Sequence, residues 1–230
     1  MAAPVIQTIT GTPTGSSTSH TVSLPAGIQS GDGLLLISGT RSCTVTTPSG
    51  WTQLYEINDA TNGVANACLY RDADGLEGTT LAVTISTTLP AAWYAFRITG
   101  VDFGTTPPEA GTATSGTGST TYDPPSVTHS GGTGDYVYIT CNSHSVYTHN
   151  VSQYPTNFTG DNLSQESAAV ASSSELAIAT LTATGSSGTA YPNAFTWSTD
   201  RDDAGNTIAV RASGGGGGPT PPYTSITVTG

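Results

Sequence analysis

The chain has 230 residues, of which 9% are charged, 35% are hydrophobic and 28 are glycine, and its net charge is −11. Five arginines and no lysine cannot build the basic patch that neutralises phosphates or holds an anionic membrane, so neither nucleic acid nor membrane is expected as a partner. The 42 threonines, with abundant serine and glycine, suit strands and turns and disfavour a helical bundle.

Strand signals follow one another from the start of the chain. PVIQTI (4–9) and HTVSL (20–24) alternate apolar with polar, and DGLLLIS (32–38) is a continuous apolar run, as in a strand buried on both faces. WTQLYEI (51–57), ANACLYR (65–71), TTLAVTIS (79–86) and WYAFRIT (93–99) continue the series. Turn formers separate them: Gly31-Asp32, Pro48-Ser49-Gly50 and Asp72 to Gly75. Thr105 to Thr121 is rich in Thr, Gly and Pro and reads as a crossing loop. SQESAAVA (164–171) comes nearest to a helical period, and it is short.

The second half echoes the first. Gly31-Asp32 leads into LLLIS (34–38), and Gly134-Asp135 leads into YVYIT (136–140). PSGWT (48–52) is answered by PTNFT (155–159), LAVTIS (81–86) by AFTWS (194–198), and YAFRITG (94–100) by TIAVRASG (207–214). Gly50 and Asn157 are the residue types most tolerant of a left-handed turn, and each precedes an aromatic able to enter the core. The expectation is an all-β fold: an antiparallel, jelly-roll-like β-sandwich built by internal duplication. Its parts are residues 1–104, the connection 105–121, residues 122–213 as a second repeat in the same sandwich or a paired lobe, and a C-terminal arm at 214–230. In the arm, five glycines are followed by PTPPY and then TSITVT, making a hinge, a stiff spacer and a strand tip. Such a strand finds a sheet edge by backbone hydrogen bonds, with Tyr223, Ile226 and Val228 meeting the partner and Thr227 and Thr229 facing outward.

Chemistry-bearing motifs are sparse. Cys43, Cys68 and Cys141 are odd in number and without CxxC spacing, which predicts reduced, packed thiols rather than disulfides or zinc. No nucleophile elbow, zincin, P-loop or dinucleotide motif is present, so no catalytic residue, cofactor or metal is assigned and no enzyme activity is expected. The turns holding Asp72, Asp74 and Glu77, and Asp200, Asp202 and Asp203, lack the full pattern of a calcium loop, and Asp with Gly also builds ordinary hairpins. Trp51, Trp93 and Trp197 lie within strand motifs and are expected in the core. His144, Tyr147, His149 and Tyr154 read as an exposed loop and the candidate recognition edge.

LPAGIQSGDGLLLIS (24–38), TPSGWTQL (47–54), LYRDADGLEGTT (69–80) and WYAFRITG (93–100) together resemble a pattern in tailed-bacteriophage virion proteins, among head-decoration, fibre and tail-associated β-sandwiches. The resemblance covers residues 20–100, and residues 125–212 through the repeat. It implies a non-enzymatic structural protein that decorates or cements the capsid exterior. Its partners would be the major capsid protein or other virion proteins, and its own copies in a homo-oligomer, with a trimer favoured. The alternative it leaves is a tail-fibre or receptor-binding module that recognises host-surface glycan. After Met1 there is no basic start or long apolar run, so the expected route is synthesis in the host cytoplasm without a signal peptide and assembly onto the virion.

Overall fold

The computed structural model describes residues 3–145, 151–167 and 173–214. Among these there is no helix; the architecture is all-β and antiparallel. The first half forms β1 (Val5–Ser23), β2 (Gly33–Thr40), β3 (Val45–Thr46), β4 (Thr52–Asp59), β5 (Val64–Asp72) and β6 (Thr80–Thr99). After β7 (Glu109–Ala110) come β8 (Thr114–Tyr122), β9 (Val127–Thr128), β10 (Gly134–Ser145), β11 (Val151–Gln153) and β12 (Asn162–Glu166). The series ends with β13 (Ser174–Ser186), β14 (Thr189–Ala190) and β15 (Phe195–Arg211).

Each half of the chain builds its own sheet. The first runs β1-β6-β2-β5-β4, with β3 on β6; the second runs β8-β15-β10-β13-β12, with β11 and β7 also on β15. The order is therefore the same in both. Register agrees as well: Leu35 faces Phe96 and Ile37 faces Tyr94, as Val137 faces Val210 and Ile139 faces Ile208. The matched turns close with the same backbone hydrogen bond. Trp51 N donates to Pro48 O at 3.1 Å and Phe158 N to Pro155 O at 3.0 Å, and both aromatics are buried. Gly50 takes φ +78°, where a side chain is strained.

The sheets stack across one core. Leu35, Ile37, Phe96 and Ile98 from the first pack with Val137, Ile139, Ile178 and Ile208 from the second. The alternate residues of the same strands point outward and are covered too: Leu34, Leu36 and Trp93 by Val22, Val83 and Ile85, and Tyr136 and Tyr138 by Phe158, Phe195 and Trp197. Because both faces are covered, every residue of β2 is buried, as its unbroken apolar run predicts. Side chains on edge strands also tie the two sheets together. Ser115 on β8 donates to Asp59 on β4 (2.7 Å), and Gln165 Nε2 on β12 donates to Trp93 O on β6.

Two expectations need correction. Thr114–Tyr122 is not a loop but a strand on β15, so the second sheet begins inside the expected connection. Its small polar residues pair through backbone hydrogen bonds, which need no apolar pattern. The separate strands read at 4–9 and 20–24, at 79–86 and 93–99, and at 194–198 and 207–214 are each one long strand. Bulges at Thr14–Ser19 bend β1, and an extra residue at a bulge turns a strand without ending it. The segment 164–171 begins in strand β12, and its last residues lie outside those described.

Candidate functional site

The two sheets differ most at the far end of β10. Its outward residues run Tyr136, Tyr138, Thr140, Asn142 and His144, changing from aromatic to polar while the strand goes on. It continues because both neighbours keep pairing with it: His144 faces Glu175 on β13 and Asp203 on β15. Three titratable residues thus form a row across three adjacent strands, and all are buried, with Glu175 4%, His144 1% and Asp203 1% exposed. Gly205, two residues on from Asp203, allows this close packing, since a Cβ there would stand 2.1 Å from Cys141 O.

His144 Nδ1 lies 2.9 Å from Asp203 Oδ1. The imidazole stacks on Trp197, ring centroids 4.4 Å apart and 6° from parallel, while Trp197 Nε1 donates to Asn142 Oδ1 at 2.7 Å. Burial pushes the Asp203 carboxyl above the usual carboxylate range, and its bond to His144 opposes that push. On the inner face of the same strand Ser143 Oγ accepts from Asn66 Nδ2 (2.9 Å), and Tyr55 OH donates to Asn66 Oδ1 (2.6 Å). This end of the stack is therefore joined by side-chain hydrogen bonds as well as by hydrocarbon. Chemically, the carboxylate sets the orientation of the imidazole, and burial makes the pair a strut rather than a group that meets substrate.

His144 is thus a buried strand residue, not the surface-loop histidine expected; alternation and two flanking strands carry it inside. Tyr154 is half-buried, its ring 6.0 Å from that of Phe195 and edge-on, so it serves packing in place of an exposed edge. Tyr147 and His149, and Tyr223, Ile226 and Val228 of the arm, lie outside the described residues. The tryptophans Trp51, Trp93 and Trp197 are in the core, and Cys43, Cys68 and Cys141 are buried free thiols.

The acidic turns stabilise the backbone. Glu77 accepts from Asp74 N (2.7 Å) and Gly75 N (3.0 Å), Asp74 accepts from Leu76 N (2.7 Å), and Arg71 lies 3.1 Å from both carboxylates. Asp202 accepts from Gly118 N while Asp203 turns inward to His144. Among the described residues, no three His, Cys, Asp or Glu side chains gather as a metal would need.

Among the described residues the exposed aromatic is Tyr191, 68% exposed, which no strand motif in the sequence includes. Its local signal is Tyr-Pro-Asn outside any apolar run. Asn157, from the Pro155–Phe158 turn, donates to Tyr191 O and accepts from Asn193 N, and Asn193 in turn donates to Thr156 Oγ1. Beside Tyr191 opens a cleft of about 340 Å³, lined by Asp123, Pro124, Pro125, Ser126 and Pro192 as well as Thr114. No family model matches this chain, and neither a curated protein nor a solved structure is significantly similar to it.

Proposed function

We propose that the chain is a non-enzymatic structural protein of the tailed-phage virion, decorating or cementing the capsid exterior as an oligomer, most favourably a trimer, docked on the major capsid protein. We also propose that its two layers arose by internal duplication, giving a sandwich that is jelly-roll-like in having two antiparallel layers, although each half of the chain keeps to one layer. The observation that carries the reading is the pair of like-ordered sheets fused across one core. The strings that carry the resemblance, LLLIS, PSGWT and YAFRITG, are the ones that build this block. A block whose two sheets bury their inner faces against each other docks through loops, a sheet edge or an added segment. Residues 214–230 are that segment in this reading. They follow the point where Ser213 N bonds Gly100 O (2.7 Å), the meeting of the two repeats' ends.

Deleting residues 214–230 is expected to leave the thermal unfolding of the block unchanged and to lower its occupancy on purified particles. Quantitative mass spectrometry against the major shell protein measures both occupancy and copy number. Stoichiometry comparable with the shell lattice supports decoration, unchanged occupancy after deletion removes the arm from the reading, and absence from particles overturns it. A second reading, a tail-fibre or receptor-binding module for host-surface glycan, is favoured by exposed Tyr191 at the cleft.

A further inference from the structure

We infer that the cleft beside Tyr191 is a binding subsite for a neutral saccharide, an inference that rests on the second, glycan-recognising reading and gives it a location and a ligand class. Tyr191, exposed to 68%, offers a flat apolar ring face with a polar hydroxyl tip to solvent at the mouth of the cleft. Asn157 pins the backbone that follows Tyr191, donating to Tyr191 O and accepting from Asn193 N, so less backbone freedom is lost when a ligand arrives. The cleft, about 340 Å³, falls within the size range of small-ligand sites. The rings of Pro124 and Pro192 are buried and give it a rigid floor.

The lining selects the ligand. A pyranose has a face of C–H groups and a rim of hydroxyls; Tyr191 matches the face, and the exposed carboxylate of Asp123 accepts from the rim in charge-assisted bonds. Ser126 and Thr114 add hydroxyls. No cation lines the cleft and the whole chain carries −11, so sialylated or uronic-acid glycans are repelled while neutral ones are not. A proline-rich peptide is disfavoured because its grooves need several aromatic walls, and this cleft has one.

The test is an array of neutral hexose and N-acetylhexosamine oligosaccharides alongside sialylated and uronic-acid ones, followed by calorimetry of the best binder with the full chain. Neutral glycans are expected to bind. Tyr191→Ala is expected to weaken the best binder by about tenfold or more, Tyr191→Phe to keep most of the affinity, and Asp123→Asn to weaken it less than Tyr191→Ala. Tyr191 projects into solvent, so each variant should unfold at the wild-type temperature. Binding that survives Tyr191→Ala overturns this site but leaves the glycan reading standing. No binding to any member overturns both. Preference for acidic glycans overturns the ligand class, and a changed oligomeric state in Tyr191→Ala would make the cleft a contact between copies and overturn the inference.

Discussion

Replacing Phe96 with alanine is expected to lower the stability of both sheets together, by about 3–5 kcal/mol, in a single unfolding transition. Phe96 is fully buried, paired with Ile9 on β1 and Leu35 on β2, and belongs to the cluster that also holds Val137, Ile139, Leu176 and Ile178 of the second half. Truncation removes apolar area and leaves a hole bounded by both layers, which neither sheet can close by moving alone. The tryptophans report on both halves, Trp51 and Trp93 on the first and Trp197 on the second. Urea unfolding followed by tryptophan fluorescence and by circular dichroism should give coincident curves that shift together. Two separable transitions, with only the first moved by Phe96→Ala, would show that the halves are independent lobes.

His144→Ala should be comparably damaging, about 3–5 kcal/mol, for a different reason. It leaves Asp203 buried without the imidazole and opens a gap against Trp197. Changing Asp203 to Asn in the same chain should recover part of the loss, because the stranded charge is then gone. The pH dependence has a definite sign. Burial raises the folded-state value of Asp203 above the ordinary 3.8, so the native state holds this proton more tightly than the unfolded chain does. The stability it contributes is full below the ordinary value and is lost as pH rises through the raised one. Asp203→Asn should therefore flatten the decline of stability from about pH 4 upward. His144→Ala should extend that decline to higher pH, since the bond that opposes the rise has been removed. Urea midpoints at a series of pH values measure both effects; a wild-type profile that Asp203→Asn leaves unaltered would refute the assignment.

Much of the fold was legible because it depends on short-range pattern. Alternation in YVYIT places Tyr136 and Tyr138 on one face and Val137 and Ile139 on the other, and the structure keeps that division between two clusters. Turn chemistry at Pro48 to Trp51 and Pro155 to Phe158 needed only the tolerance of Gly and Asn for a left-handed bend and an aromatic to follow. The order of these strings along the chain also led to the expectation of two like halves, and the two sheets have the same strand order.

What tertiary structure alone decided is which segments pair and what covers them. Thr114–Tyr122 has almost no apolar residue, and becomes a strand because β15 presents it with backbone donors and acceptors. His144 has the surroundings of a loop residue in sequence and the burial of a core residue in space, since Glu175 and Asp203 arrive beside it from 31 and 59 positions away. Tyr154 and Tyr191 are both tyrosines flanking a proline, yet Phe195 packs edge-on against one while the other is 68% exposed among the described residues. Amino-acid order determined which faces were apolar and where the chain could turn, because those follow from each residue and its near neighbours. Burial belongs to the pairs of distant segments that meet, and so it was decided only when the sheets closed on each other.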